Sequence, residues 1–282
     1  MKLAATIAIG CILVLVAFAV SQKGGDPDGS EEIIKALAKG YKDERTIDQI
    51  KKDNALIRAA QEGDAGAVRE AIKNGALVNS RYLDGHAFLD AGVSGYTALM
   101  RASLAGHEDV VQILIDAKAD LELDRRGRTS LYLAVTAEKE PVVSLLVKAG
   151  AKGDPRQIRL AYDLIRAACK GFKMREGEGY PLYPGCAKGA ENAPDITEVL
   201  KRGADVNAAN PEGYTALMYS ANLGLVENVK ILLAHGADAT LKSKDGDTAL
   251  SLTEDRESSV ARAERRQVVK ILKAHLDKKR VM

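Results

Sequence analysis

The stretch GYTALMYSANLGLVENVKILLAHGADA, at residues 213–239, decides how the chain folds. Thr215 is a favourable helix N-cap, and the residues after it predict a short amphipathic helix that Gly224 can end in a left-handed turn. A second apolar stripe predicts a second helix, which ends at Gly236. Thr248 restarts the pattern 33 residues after Thr215, so the stretch is one helix–turn–helix unit of a repeat.

Six copies of this unit align on the glycine between the two helices or on its equivalent, spanning residues 54–79, 92–123, 124–154, 155–207, 208–241 and 242–276. Their first helices are expected to begin at Asn54, Thr97, Thr129, Tyr162, Thr215 and Thr248. Small residues mark the packing face of the first five, because stacked helices approach closely. They are Ala59 and Ala60, Ala102 and Ser103, Ala134 and Val135, Ala167 and Ala168, and Ser220 and Ala221. In the sixth, Thr253 and Glu254 take these positions, as suits a terminal repeat with one side facing water.

The spacing T-x-L-x-x-[AS]-A-x-x-G, followed by V-x-x-L-L-x-x-G-A-D, resembles the ankyrin repeat. The resemblance implies an all-α solenoid of about six helix–turn–helix repeats, with connecting loops that project as β-hairpin-like fingers. It also implies that fingers and first helices form a concave face that binds a protein partner. The residues expected there are Tyr96, Leu104, Arg125, Arg126, Arg128, Thr136, Glu212, Tyr214 and Asn222, with Ser94, Leu223, Lys244 and Asp247 beside them. Tyr and Arg are enriched at binding hot spots.

Two repeats depart from the pattern at a glycine. Lys118 replaces the glycine after the second helix of the second repeat, and Glu138 replaces the mid-repeat glycine of the third. Both positions are expected to need a positive φ, which costs a non-glycine residue about 1 kcal/mol. We expect the fold to tolerate this cost.

The composition fits a stack of thin helical layers. Aromatic residues make up 4% of the chain and Trp is absent, as expected where Ala, Leu and Val fill the space between helices. The 41 basic and 39 acidic residues nearly balance, so the total charge indicates neither a nucleic-acid surface nor a highly acidic ligand. We expect a monomer that binds no nucleic acid.

An uninterrupted apolar run begins at Leu3, directly after Lys2, and ends at Val20. Three interpretations remain open: a signal peptide with a small-residue cleavage site near Ala19, an uncleaved anchor that tethers the protein to a membrane, or a lipoprotein modified at Cys11. Each would place the repeats outside the cytoplasm, in the periplasm, secreted or membrane-anchored. The predicted order is signal peptide or signal-anchor (1–19), flexible spacer (20–30), helical cap (31–53), repeats (54–276) and basic tail (277–282).

Three insertions lengthen the repeats, near residues 80–91, 173–194 and 254–263. The second separates the two helices of the fourth repeat; it is rich in Gly and Pro and is a second candidate site. Cys169 and Cys186 both belong to this repeat and are the only cysteines left if a leader carrying Cys11 is removed. An even count in an exported chain favours a disulfide between them, with two unpaired thiols as the alternative.

The sequence carries no recognisable catalytic or metal-binding motif. His86, His107, His235 and His275 fall in different repeats, and the resemblance assigns His107 and His235 to structural hydrogen bonds at turns. H-E-x-x-H, paired C-x-x-C, G-x-S-x-G and phosphate-cradling glycine motifs are all absent from the sequence. We therefore expect a non-catalytic interaction module without cofactor or metal. Two alternatives remain: an envelope maintenance protein with one dedicated partner, and an enzyme whose site lies in the 173–194 insertion.

Overall fold

A computed structural model of the chain describes residues 46–81, 95–170, 194–254 and 262–281. The chain divides into two compact units, Met1–Gly153 and Asp154–Met282. The expected leader, the spacer, most of the helical cap and, apart from their edges, the three insertions lie outside the described residues, as do Cys11, His86, Ser94 and Cys186.

The described part of the first unit contains, in chain order, α1 (Ile47–Glu62), α2 (Ala65–Lys73), α3 (Ala98–Ala105), α4 (Glu108–Asp116), β1 (Asp124–Arg125), β2 (Arg128–Thr129), α5 (Ser130–Thr136) and α6 (Glu140–Lys148). Helices α1, α3 and α5 pack side by side as an inner row, and α2, α4 and α6 form an outer row against them. Strands β1 and β2 form an antiparallel hairpin that leads into α5.

The second unit has the same two-row arrangement. Its described elements are α7 (Pro155–Ala168), α8 (Ile196–Lys201), α9 (Ala216–Asn222), α10 (Val226–Ala234), α11 (Ala249–Glu254) and α12 (Arg262–Val281). Helices α7, α9 and α11 form the inner row, and α8, α10 and α12 form the outer row. At the last inner helix Thr253 is buried, whereas Glu254 is exposed and pairs with Lys273 at 2.9 Å, so only Glu254 meets water as expected.

The predicted threonine caps are present. The hydroxyl oxygens of Thr97, Thr129 and Thr215 each accept the backbone N–H of the residue three positions later, at 3.3 Å in all three cases. The left-handed turns are also confirmed: φ is 79° at Gly63, 92° at Gly106 and 72° at Gly224. Lys118 and Glu138 adopt the expected positive φ, 62° and 59°. Local capping signals therefore set the starts and stops of most inner helices.

The small residues of the inner helices are buried as predicted. Every member of the five pairs has at most 6% of its surface exposed, which lets inner helices approach closely. Larger apolar side chains fill the space towards the outer row, and those of the second unit form one continuous cluster around Leu164, Leu217 and Leu232. Burying a leucine contributes about 1.5–3 kcal/mol, so this cluster is the main source of stability in the unit.

Helix α1 is longer than the sequence indicated. It begins after the N-cap Thr46 and runs through the boundary expected at residues 53–54 without a break. Asp53 lies within it, fully buried, and its carboxylate accepts hydrogen bonds from the Leu77 backbone N–H at 2.7 Å and the Gln49 side chain at 2.8 Å. The residue that looked like a helix boundary instead ties α1 to the loop after α2.

Helix α7 also begins earlier than expected, at Pro155 rather than at Tyr162. The Asp154 carboxylate caps the helix by accepting the Arg156 backbone N–H at 2.8 Å, and proline is favourable at the first helical position. About two extra turns therefore precede the part that matches the other inner helices.

Candidate functional site

The third repeat presents a short finger made by β1, β2 and the turn between them, which we call the basic finger (residues 124–129). Arg125 and Arg128 are paired across the hairpin, and Arg126 occupies the turn with φ 55°. The Asp124 carboxylate accepts the Gly127 backbone N–H and closes the turn. Arg126 is exposed, and Arg125 and Arg128 are half-buried. The finger therefore brings three expected binding residues together at one tip.

The cationic surface continues to the edge of the second repeat. A Cβ atom added to Gly95 would lie 2.9 Å from Nη1 of Arg125, so the Arg125 side chain lies directly over that backbone. Nη1 of Arg81 donates to the Gly95 carbonyl at 3.1 Å. Sequence reasoning missed Arg81 because it lies at the start of the first insertion, outside the repeat pattern.

Tyr96 is not an exposed finger residue. Only 3% of its surface is accessible, and its ring packs against Met100 and Leu133. The Arg101 guanidinium lies over the ring, 5.7 Å from its centre. The partner contact expected for Tyr96 is therefore corrected, because its ring is buried and packs against residues of the first unit.

Tyr214 is buried as well, with 7% of its surface accessible. Its hydroxyl oxygen lies 3.1 Å from Asp245 Oδ2 and 2.9 Å from Asp247 Oδ2, and its ring meets Tyr219 edge-on at 6.1 Å. Tyr219 belongs to α9, which follows Tyr214, and the two aspartates belong to the next finger. Tyr214 therefore holds two neighbouring fingers together instead of projecting from one, and its expected binding role is corrected.

The second unit has two fingers, residues 210–214 and residues 243–247, which share the same pattern of hydrogen bonds. Asn210 Oδ1 accepts the backbone N–H groups of Glu212 and Tyr214, at 3.1 and 2.9 Å. Ser243 Oγ, 33 positions later, accepts those of Asp245 and Asp247, at 3.2 and 3.1 Å. The Lys244 backbone N–H donates to the Glu212 carbonyl at 3.0 Å and joins the two fingers. Lys244 is exposed, and Glu212 and Asp247 are half-buried.

The helix positions expected on the binding face are mostly turned inward. Asn222 and Leu223 are buried, with 3% and 7% of their surfaces exposed, so both are corrected. Leu104 is half-buried and packs beside Tyr96. The Thr136 hydroxyl lies 2.9 Å from the Tyr132 carbonyl of its own helix, which makes this half-buried side chain a poor recognition group.

The fourth repeat has no finger before its inner helix. In the third, fifth and sixth repeats a hairpin or turn precedes the capping threonine, but here Asp154 caps α7 directly. The fourth repeat, which begins the second unit, therefore differs from the third, fifth and sixth in having no finger of this kind.

Two family profiles match the chain. The profile described as ankyrin repeats (3 copies) matches residues 18–123 and 82–157, and that described as ankyrin repeats (many copies) matches residues 199–252. The chain belongs to the ankyrin-repeat family. The helical repeat fold expected from the sequence is thereby confirmed.

Curated relatives match only part of the chain. It is similar to ankyrin repeat and SOCS box protein 6 of Pongo abelii and of Homo sapiens, at 39% identity over 67 residues, 22% of this chain and 16% of each relative. It is also similar to the probable E3 ubiquitin-protein ligase XBOS34 of Oryza sativa subsp. japonica, at 38% identity over 99 residues, 33% of this chain and 18% of the relative. The chain thus spans less than a fifth of the length of each of these relatives. The SOCS box and the ligase activity in their names belong to those proteins.

The base of the 173–194 insertion is firmly held in this ankyrin-repeat protein. Lys170 and Asp195, on either side of it, form an ion pair at 2.8 Å. Asn228 Nδ2 donates to the carbonyls of Ala168 and Lys170, at 3.1 and 3.2 Å. Cys169, between them, is fully buried and disulfide-bonded to a partner outside the described residues. The pairing with Cys186 stays a prediction.

The two turn histidines bind backbone carbonyls, as the family resemblance implied. His107 Nε2 lies 3.0 Å from the Gln61 carbonyl, and His235 Nδ1 lies 2.9 Å from the Ile231 carbonyl. Within the described ranges no group of three His, Cys, Asp or Glu is placed to hold a metal ion. None of the helices in those ranges combines the length and apolar character needed to cross a membrane.

Proposed function

We propose that this ankyrin-repeat protein binds an acidic protein partner through the basic finger, outside the cytoplasm and without catalysis of its own. Membership of the family makes the chain a protein–protein interaction module. The arginines of the basic finger support the acidic charge of the partner and the surface that binds it, and the apolar run from Leu3 to Val20 and the disulfide of Cys169 support the compartment.

The observation that carries the proposal is the concentration of arginine on the basic finger. Arg125 and Arg128 lie directly opposite each other, and like charges at paired positions destabilise a hairpin. Arg126 adds a positive φ, which a non-glycine residue adopts at a cost. Neither Arg125 nor Arg126 forms an ion pair within the described residues. A partner that carries carboxylates would compensate them and would be steered to the finger over about one Debye length.

The test needs a partner, recovered by affinity purification of the full chain from its native membrane or envelope fraction. Replacing Arg125, Arg126 and Arg128 with Ala should slow association about tenfold at low salt and reduce its salt dependence. The matched control replaces Arg69, Lys73 and Lys148, three exposed cations on α2 and α6, and removes the same charge. Equal association rates for the finger variant and the parent would refute the proposed surface.

Export is supported by two features. The apolar run from Leu3 to Val20 has the composition of a signal peptide or anchor, and Cys169 is disulfide-bonded, a state that persists in oxidising compartments. Cell fractionation with N-terminal sequencing should find the protein outside the cytoplasm, and cleavage after Ala19 would distinguish a signal peptide from an anchor. Recovery of full-length, soluble protein from the cytoplasm would contradict export.

The identity of the recovered partner decides whether the protein has a maintenance role in the envelope or acts as an adaptor for another target. A single partner native to the same envelope supports a maintenance role, whereas a heterologous target supports an adaptor that acts away from its own cell. The enzyme alternative depends on the 173–194 insertion, nearly all of which lies outside the described residues; turnover by the purified chain would favour it over the proposed function.

A further inference from the structure

A cationic pocket lies in the second unit, at the end of the fourth repeat away from the insertion. Its volume is about 460 Å³, and its walls come from Arg156, Arg159, Leu160, Lys201 and Arg202. Four of these five residues are cationic at neutral pH. The volume lies within the range of small-molecule sites, about 300–1,000 Å³.

The two extra turns of α7 build this pocket. They supply Arg156, Arg159 and Leu160, and the end of α8 supplies Lys201, followed by Arg202. Nη2 of Arg156 donates to the Arg202 carbonyl at 3.3 Å, which brings the two helix ends together. Leu160 is buried and provides an apolar floor. The inner helices α3, α5 and α9 have 8, 7 and 7 residues against 14 in α7, so the pocket depends on a feature that those three lack.

Two of the four cations around this pocket, Arg156 and Lys201, form no ion pair within the described residues. Arg202 pairs with Asp163 at 3.2 Å. Within the described ranges, neither Arg156 nor Lys201 has a carboxylate within ion-pair distance. Both are exposed side chains that line the cavity together with the other cations.

Other lysines in the same unit behave differently. Lys170, Lys230 and Lys273 each lie within 2.9 Å of a carboxylate oxygen. The charge of these three lysines is thus compensated within the unit. Arg156 and Lys201 have no such partner within the described residues, and they leave a positive potential at the cavity that a bound anion would neutralise.

We infer that this pocket binds a phosphate-bearing anion. Guanidinium groups match phosphate oxygens in a planar, bidentate geometry, and lysine adds a point charge, so three arginines and one lysine around one cavity suit a ligand with several phosphate oxygens. The ligand is either a soluble phosphate compound or the headgroup of an anionic lipid. The site shares no residue with the basic finger, and it lies about 20 Å along α7 from Cys169, so it does not depend on the proposed protein partner.

The test uses the full chain with inorganic pyrophosphate as the soluble probe, by isothermal titration calorimetry. We expect saturable binding at one site per chain. Arg156→Gln with Lys201→Gln should weaken it about tenfold or more, since the loss of one charged hydrogen bond already corresponds to about a tenfold change in affinity or more. The matched control, Arg69→Gln with Lys148→Gln in the first unit, removes the same charge from exposed helix positions and should change affinity less than twofold.

Vesicle sedimentation separates the two sources of phosphate. Because the apolar segment from Leu3 to Val20 is expected to associate with any bilayer, the measured quantity is the increase in binding when phosphatidylglycerol is added to phosphatidylcholine vesicles. An increase that disappears in the Arg156/Lys201 variant and persists in the control supports a lipid headgroup. Pyrophosphate binding without such an increase supports a soluble phosphate.

The inference fails if the parent shows neither pyrophosphate binding nor a phosphatidylglycerol-dependent increase, or if the variant and the control lose either signal equally. Arg156→Lys with Lys201→Arg keeps the charge and should retain most of the binding. This conservative variant also tests for misfolding. If both the glutamine variant and the charge-conserving variant lose binding and show an altered thermal unfolding profile, the side chains maintain the helix ends, and the inference is overturned.

Discussion

Gly63 and Gly75 form a matched pair for measuring how closely consecutive repeats pack in the first unit. Both adopt a left-handed backbone, with φ 79° and 87°. A Cβ atom at Gly63 would lie 2.6–2.9 Å from ring atoms of His107, whereas one at Gly75 would meet nothing within 4 Å. Gly63→Ala therefore adds a collision between repeats to the backbone strain that both substitutions share.

The expected costs follow from these contacts. The left-handed conformation costs alanine about 1–2 kcal/mol, of which about 0.4–1 kcal/mol is offset by the stiffer unfolded chain, so Gly75→Ala should lower the free energy of unfolding by about 1 kcal/mol. At Gly63 the His107 ring must also move away, and its hydrogen bond to the Gln61 carbonyl at 3.0 Å would break. This adds about 1–2 kcal/mol, for a total of about 2–3 kcal/mol.

Urea denaturation followed by far-UV circular dichroism measures both costs, and a double-mutant cycle with His107→Ala identifies their cause. Without the imidazole ring, Gly63→Ala should cost no more than Gly75→Ala. Equal costs in the parent background, or a Gly63→Ala cost that His107→Ala leaves unchanged, would refute the proposed contact.

Two further predictions concern the second unit. Tyr214→Phe should lower the free energy of unfolding by about 1 kcal/mol, because it removes the hydroxyl that lies within 3.1 Å of both Asp245 and Asp247. The partner should still associate through the basic finger at the parent rate. Faster dissociation of the partner from this variant would restore Tyr214 as a binding residue. Alkylation without reductant, followed by mass spectrometry, should leave Cys169 and Cys186 unmodified and joined in one peptide pair; a free thiol at Cys186 would contradict the pairing.

The helical repeat could be predicted because its signals are local. A threonine cap, a glycine or its substitute after the helix and a pair of small residues recur at fixed spacing, and each has a physical reason that does not depend on distant parts of the chain. For this reason Thr97, Thr129 and Thr215 were placed correctly, and Lys118 and Glu138 were expected to have a positive φ.

The direction of finger side chains could not be predicted in the same way. Whether Tyr214 points to solvent depends on Asp245 and Asp247, which lie 31 and 33 residues further along the chain. The same applies to Tyr96, whose ring is covered partly by Leu133 of the next repeat. Tyrosine at a fingertip is a hot-spot residue only if its neighbours leave it exposed, and repeat spacing does not report on those neighbours.

The start of α7 was missed for a different reason. Asp154 followed by Pro155 is a strong helix-start signal, but aligning the fourth repeat on its neighbours placed the start at Tyr162. A departure from the family period was thereby hidden, and with it the cationic pocket that the extra turns create. In this repeat, which also carries an insertion, the local start signal at Asp154 and Pro155 overrides the period of the neighbouring repeats.

The fingers of the two units differ in what their charges are used for. In the second unit Asp245 and Asp247 surround the Tyr214 hydroxyl, and the Lys244 backbone bonds the Glu212 carbonyl, so much of the polar chemistry of those fingers joins one finger to the next. In the basic finger Arg126 is exposed, and Arg125 lies opposite Arg128 across the hairpin, where like charges repel each other. Like charges gathered at one tip are more informative about binding than polar groups that join one finger to the next. The first unit should therefore dominate the salt dependence of association, whereas substitutions in the fingers of the second unit should act mainly on stability.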